Sequence, residues 1–295
     1  MTINTKTLAA IDIGTNAIRL FISNVEEYPT ETLFKKIAFL RVPIRLGEDV
    51  FTTGEIGQQK RKRLCETMQG FSYIMSAFNV ESYKAYATCA MREARNGKSV
   101  AEQIQKECDL NIEIISGTKE AETIFAGGMN EVVDDDKTYL YVDVGGGSTE
   151  VIVYSKSVKV EACSFPLGTV RMLNDAVDKE EMKHFKKWLK NITEKYTPDA
   201  IIGSGGNINK IHKLLNKKER ERITYQELDI LYEYMKSFNL EERERIMKLN
   251  TYRAAMKIFL TVGKICKINE IIVPKLGLSD GIIRLLYEEE KRGRV

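Results

Sequence analysis

Three short loops in this sequence carry residue types suited to holding anionic oxygens: Gly14-Thr15-Asn16, Gly145-Gly146-Gly147-Ser148-Thr149 and Gly203-Ser204-Gly205-Gly206-Asn207. Glycine admits positive φ and close backbone approach, and a run of N–H groups with neighbouring hydroxyls makes a nest for an anion, with phosphate the natural occupant. One such loop is usually only a turn; three, with acids beside them, suggest a site. Asp12 and Asp143 precede the first two loops and Glu150 follows the second. Carboxylates so placed would repel phosphate unless a hard cation lay between them, so Asp12, Asp143 and Glu150 are candidate ligands of Mg2+ or another hard divalent cation. The plain alternative for Glu150 is a polar strand residue paired with a nearby base.

Glu120 follows Ser116-Gly117-Thr118 at a predicted helix start, where it could deprotonate a water; the same position suits a capping or helix-dipole acid. Arg92 comes shortly after Thr88 at the end of a predicted strand, and Arg19 lies in the first hairpin. Both could clamp phosphate oxygens, or serve as surface ion pairs. His184, His212 and Trp188 fall in amphipathic helical patterns and are given no chemistry.

An internal repeat must position these groups. The segment Ile11 to Ile22 recurs in pattern from Val142 to Val153, so that Asp12 corresponds to Asp143 and Gly14 to Gly145. Each copy reads as an apolar strand ending at an Asp, a small-residue turn and a returning strand. Further strands are predicted at 35–42, 81–88, 110–115, 158–165 and 200–203, with helices at 56–77 and 179–195, a mostly helical C-terminal third and a strand at 270–273. Two matched mixed α/β units are expected to face each other across a cleft with the loops at its base.

Length and composition agree. The chain has 295 residues, 43% hydrophobic, enough for two cores. Its 45 Lys and Arg nearly balance 42 Asp and Glu, so no partner class follows from net charge. The basic runs Lys60-Arg61-Lys62-Arg63 and Lys217–Arg222 lack the aromatic interleaving of nucleic-acid binders; the first could at most line a path for a polyanion. Five scattered cysteines show neither zinc spacing nor a disulfide framework, and no segment reads as a signal or a membrane span, so a reduced, cytoplasmic setting is expected.

Six ordered motifs resemble those of the exopolyphosphatase and guanosine pentaphosphate phosphohydrolase family. They are Ile11 to Leu20, Ala87 to Ala94, Ile114 to Ala121, Val142 to Glu150, Phe165 to Arg171 and Gly203 to Asn207, and the resemblance resumes at Gly277-Leu278-Ser279-Asp280-Gly281. It implies an α/β fold of two ribonuclease H-like (actin-like ATPase) domains, 1–125 and 126–281, with the first completed by a helix from about Ile282 to the end. It also implies Glu120 as catalytic base, with Asp143 and Glu150 serving metal and water and Arg92 assisting. Phosphate would be held by Thr15, Asn16, Arg19, Thr88, Gly145, Gly146, Gly147, Ser148, Gly205 and Asn207.

The chain stops at Val295 and so resembles the short form of the family, with less surface to grip a long chain. It reads Arg253-Ala254-Ala255 where the family often has Arg-Ala-Asp, which bears on substrate choice. The activity implied is metal-dependent hydrolysis of the terminal phosphoanhydride of inorganic polyphosphate; the alternatives are guanosine pentaphosphate hydrolysis, a non-hydrolytic alarmone or nucleotide sensor, and a kinase. Expected partners are inorganic polyphosphate or a guanosine polyphosphate, without nucleic acid or membrane; homodimer formation is left open.

Overall fold

The structure is a computed structural model that describes residues 4–128, 134, 136–156, 158–174, 177–238 and 249–293. Its contacts divide the chain into two units, Met1–Gly128 with Gly277–Val295, and Met129–Leu276.

In the first unit, β1 (Asn4–Ile13), β2 (Ile18–Glu27), β3 (Thr32–Val42), β4 (Ser82–Ala87) and β5 (Ile112–Ile114) form one sheet in the order β3-β2-β1-β4-β5. The first three strands form an antiparallel meander, and β4 joins β1 in parallel. Leu8 through Ile13 are all buried, so the two-residue alternation of a half-exposed strand is absent from β1. Both faces are covered. Ala9, Ile11, Ile13, Ile18, Leu20 and Ile22 share a core with Leu64, Met68 and Phe71 of the helix Gln58–Ala77 and with Val100 and Ile104 of the helix Gly97–Cys108. The last helix, Leu278–Arg292, packs on β1, β2, β4 and the helix Gly117–Ala126.

That last helix starts four residues before the expected Ile282. The cause is local: the Asp280 carboxylate accepts the Gly277 N–H at 2.9 Å, satisfying a donor at the new N-terminus. One turn on, Gly281 crosses the helix Gly117–Ala126 so closely that a Cβ there would lie 1.9 Å from the Thr123 carbonyl oxygen.

In the second unit, β6 (Thr138–Val144), β7 (Thr149–Ser155), β8 (Val158–Phe165), β9 (Ala200–Ser204), β10 (Ile223–Thr224) and β11 (Glu270–Ile272) are ordered β10-β11-β9-β6-β7-β8. The β6–β7–β8 meander, with β9 parallel to β6, repeats the topology of β1–β2–β3 with β4. These two sheets with their helices are the doubled ribonuclease H-like α/β architecture. Leu140, Val142, Val151 and Val153 enter a core with Phe185 and Leu189 of the helix Lys179–Tyr196 and Ile258 and Phe259 of the helix Leu249–Cys266. Alternation along the strands turns Asp143 and Glu150 to the opposite face.

Two outcomes follow from the last helix. Gly281→Ala gains helix propensity worth up to about 1 kcal/mol, but the clash with a backbone oxygen costs more, and a net loss of about 1–3 kcal/mol is expected in chemical denaturation. The Asp280 carboxyl is pushed above its usual range by burial, against the lowering influence of the Gly277 N–H, Lys36 and Arg284. Its native form therefore binds protons more readily than its unfolded form, so stability falls as pH rises from about 4 through the native value and stays reduced above it. Asp280→Asn removes this dependence, so the stability difference, variant minus wild type, rises between pH 4 and 7.

Candidate active site

The two repeated hairpins close in the same way. The Gly14 N–H donates to the Ala17 carbonyl at 3.1 Å and the Gly145 N–H to the Ser148 carbonyl at 3.0 Å. A Cβ at either glycine would sit 3.2 Å from that accepting oxygen, so of the two reasons expected for glycine here it is close approach, not positive φ, that applies. Positive φ does occur in the third loop. Gly205 (φ 98) caps the helix Gly206–Leu214, and a Cβ there would come within 2.6 Å of Asp143 Oδ1. The Asn207 amide donates to the Val144 carbonyl at 3.4 Å, tying this helix start to the end of β6.

At equivalent positions of the repeat the two hairpins carry different charges. Asp12 of β1 lies directly opposite Arg19 of β2, and Arg19 Nη1 donates to the Asp12 carboxylate. Asp12 is buried. The expected metal ligand and the expected phosphate clamp thus engage each other. Behind the turn, the Thr15 carbonyl accepts the Gly47 N–H at 2.9 Å and the Asn16 carbonyl accepts the Arg45 N–H at 3.0 Å.

Arg92 and Glu120 are fixed at the exit of β5 in the same unit. Arg92 Nη1 donates to the Ile115 carbonyl at 2.8 Å. The next residue, Ser116, caps the helix Gly117–Ala126: its hydroxyl accepts the Lys119 N–H at 3.1 Å and its carbonyl accepts the Glu120 N–H at 2.9 Å. Glu120 is half-buried in the first turn. Thr88 joins this end of the sheet through its N–H, 3.1 Å from the Ile13 carbonyl.

In the second unit Asp143 stands directly opposite Glu150, and both are buried. The register continues across the sheet as Ser204, Asp143, Glu150, Ser164 on neighbouring strands. Glu150 Oε1 accepts the Ser148 hydroxyl at 2.6 Å and the Ser164 hydroxyl at 3.0 Å. Ser148, expected at phosphate, therefore spends its hydroxyl proton on Glu150. Like charges directly opposite in a sheet destabilise it, and more so when buried, unless a cation lies between. Two carboxylates with adjacent hydroxyls form a hard oxygen donor set that fits a hard divalent cation. Among the described residues no group of three or more His, Cys, Asp or Glu could hold a metal, and the third expected carboxylate, Asp12, is paired with Arg19 within its own unit.

Sequence reading missed what holds the glycine loop. The Gly145 carbonyl accepts the Thr169 N–H at 3.0 Å, and the Gly146 carbonyl accepts the N–H groups of Val170 and Arg171 at 2.8 and 3.2 Å. Arg171 Nε donates to the Gly147 carbonyl at 3.0 Å. With these oxygens engaged, they no longer repel an anion brought to the loop. Phe165 to Arg171 was visible as a motif, but the role is a set of backbone bonds that no side-chain pattern announces. Ala255 is fully buried in the apolar core of this unit, so that position offers no carboxylate. None of the five cysteines forms a disulfide, and burial, then Glu107, pushes the Cys65 thiol up to about 11, away from a reactive thiolate.

The Ppx/GppA phosphatase family model matches residues 25–290. The chain belongs to the Ppx/GppA phosphatase family. It is 23% identical to a putative exopolyphosphatase of Haemophilus influenzae, over 99% of this chain and 94% of that protein. It is 22% identical to a guanosine-5'-triphosphate,3'-diphosphate pyrophosphatase of Vibrio parahaemolyticus, over 97% of this chain and 60% of the other. It is 32% identical to a bifunctional 3-dehydroquinate synthase/phosphatase of Fusobacterium nucleatum over 56% of this chain, which spans only 25% of that protein. The crystal structure of the Aquifex aeolicus family member superposes with a TM-score of 0.79 at 24% identity, covering 97% of this chain and 99% of that one. The fold is therefore the family's. Among the described residues no helix is long and apolar enough to cross a membrane.

Gly168 is the sharpest test of the loop support. A Cβ there would lie 2.3 Å from the Gly146 carbonyl oxygen, a backbone atom that can yield only if the loop moves. Displacement of about 1 Å at a reacting site costs on the order of 10²-fold in rate. Gly168→Ala is expected to lose about that much phosphate release, measured by a colorimetric assay on folded protein.

Proposed function

We propose that this chain is an exopolyphosphatase, hydrolysing the terminal phosphoanhydride of inorganic polyphosphate to orthophosphate and a chain one unit shorter. The observation that carries the reading is the buried, directly opposed pair Asp143 and Glu150 at a glycine turn, in a chain of a phosphatase family. Its support on substrate is the putative exopolyphosphatase aligned along nearly the whole chain.

Glu120 is the general base: it takes the proton of the attacking water as the oxygen moves onto the terminal phosphorus. Its place in the first turn, set by the Ser116 cap, fixes where that proton is received. Arg92, held by the Ile115 carbonyl, keeps guanidinium donors for the equatorial phosphoryl oxygens, whose charge spreads in the transition state. Asp143 and Glu150 would hold Mg2+ or another hard divalent cation, which supplies charge neutralisation and polarises a phosphoryl oxygen when bound. The phosphate-holding candidates are Thr15, Asn16, Arg19 and Thr88 of the first unit and, of the second, the backbone of Gly145, Gly146, Gly147, Ser148 and Gly205 with Asn207.

The second reading keeps the chemistry and exchanges the substrate for guanosine pentaphosphate. It rests on the name of the Vibrio relative and on the helix start at Gly205 and Asn207, where a nucleotide could be seated.

Orthophosphate release with Mg2+ from medium-chain polyphosphate, guanosine pentaphosphate and ATP tests these readings together. Polyphosphate is expected to be fastest, and Glu120→Gln to be slower by about two or more orders of magnitude. Faster release from guanosine pentaphosphate selects the second substrate. No release from any of them, with one still bound tightly, replaces the enzyme by a sensor.

A further inference from the structure

The end of β3 carries a charge that the roles above leave unused. Arg41 lies directly opposite Arg19 across β2 and β3, on the same sheet face, so two guanidinium groups occupy positions where like charges destabilise a sheet. Arg19 has Asp12 on its other side. The Arg41 side chain, in contrast, has no ion-pair or hydrogen-bond partner among the described residues. Partial desolvation and the charges of Arg19 and Arg45 hold its guanidinium below the usual arginine range.

Arg45 brings a third guanidinium to the same place through a strained backbone. It sits at φ 61 and ψ 51, in the left-handed region that a non-glycine residue enters only when its surroundings impose it. Three bonds impose it: the Arg45 N–H donates to the Asn16 carbonyl at 3.0 Å, and its own carbonyl accepts the Glu48 N–H at 3.1 Å and Lys60 Nζ at 2.6 Å. Its side chain makes one exposed contact, 3.3 Å to Glu48, whose carboxylate is shared with Lys60. An exposed pair of that length contributes little. The nearby acids Asp12, Glu48 and Asp49 are thus taken by Arg19, Arg45 and Lys60, and the surplus positive charge is that of Arg41.

We infer that Arg41 and Arg45, together with Arg19, form a second anion subsite beside the Thr15–Asn16 turn, which takes the phosphoryl units following the one held at that turn in a linear phosphoanhydride chain. The inference rests on the proposed phosphate role of the turn. Two planar forks on adjacent backbone supports match neighbouring phosphoryl groups better than a single anion, because each presents paired donors to two oxygens. The subsite would be read by chain length: a ligand of three phosphoryl units fills it, whereas orthophosphate reaches only the turn. An extended inorganic chain and the phosphate arm of a nucleoside polyphosphate share this chemistry, and the test separates them.

The experiment is titration calorimetry on the folded Glu120→Gln protein with Mg2+, comparing inorganic tripolyphosphate, guanosine pentaphosphate and orthophosphate, with and without Arg41→Gln or Arg45→Gln. The expected result is at least a tenfold weaker Kd for tripolyphosphate in each double variant, orthophosphate changed less than twofold, and an intermediate effect for Arg41→Lys, which keeps charge but loses the fork. In the otherwise wild-type enzyme the loss falls on KM for tripolyphosphate. The thermal midpoint of Arg41→Gln stays level or rises, because repulsion with Arg19 and Arg45 is relieved. An equal loss for guanosine pentaphosphate assigns the subsite to its phosphate arm as well; a loss confined to tripolyphosphate assigns it to the inorganic chain. Unchanged tripolyphosphate binding, or equal weakening of orthophosphate and tripolyphosphate, overturns the inference while leaving the hydrolase reading intact. Arg41-dependent tripolyphosphate binding in a wild-type protein that hydrolyses nothing would keep the subsite and remove the hydrolase.

Discussion

Asp143 and Glu150 face each other across two antiparallel strands with almost no access to water. Left as two anions, that pair opposes folding of the very sheet that presents it, because a buried carboxylate needs hydrogen bonds and a counter-charge. The structure provides the hydrogen bonds: Ser148 and Ser164 both donate to Glu150. A hard divalent cation would complete the arrangement, in line with the proposed metal role of the pair. The Ser148 hydroxyl, the register of β8 and the closure of the Gly145 turn are all arranged around this one electrostatic demand.

The first unit meets the same geometric problem with a cross-strand ion pair. Its hairpin has the same turn, the same strand-end aspartate and the same register, but arginine replaces glutamate at the facing position. The buried Asp12 is compensated by Arg19 within the hairpin itself. One duplicated backbone thus carries two opposite charge arrangements, distinguished by a single cross-strand residue.

Much of this was legible because it depends on local pattern. Apolar strands ending in Asp and a small-residue turn predicted both hairpins, and the Ser116-Gly117-Thr118 turn placed Glu120 at a helix start. What stayed hidden depends on register and on backbone bonds. Nothing in the sequence pairs Arg19 with Arg41, since the bulge between Ile22 and Ser23 shifts how β3 lies along β2. Likewise the carbonyls of the Gly145 loop are engaged by N–H groups of Thr169, Val170 and Arg171, a donation any residue type but proline could make. Treating the two copies as equivalent makes Asp12 a metal candidate like Asp143, but the facing strands differ: arginine stands opposite Asp12 and glutamate opposite Asp143.

The position of the proposed base is a tertiary rather than a local property. The Ser116 cap fixes where the helix of Glu120 begins, but its lateral position is set by Gly281, distant in sequence, whose missing side chain lets the last helix meet the Thr123 backbone. Gly127 closes the same contact from the other end: a Cβ there would be 3.0 Å from the Gly281 nitrogen. A contact between backbones cannot be retuned by choosing another rotamer, as a contact between long side chains can. The helix carrying Glu120 is therefore held to a tolerance that flexible packing would not give, which is what positioning a proton acceptor requires. The cost of that rigidity is visible in the last helix, where Asp280 is kept in a poorly solvated place to cap its first turn.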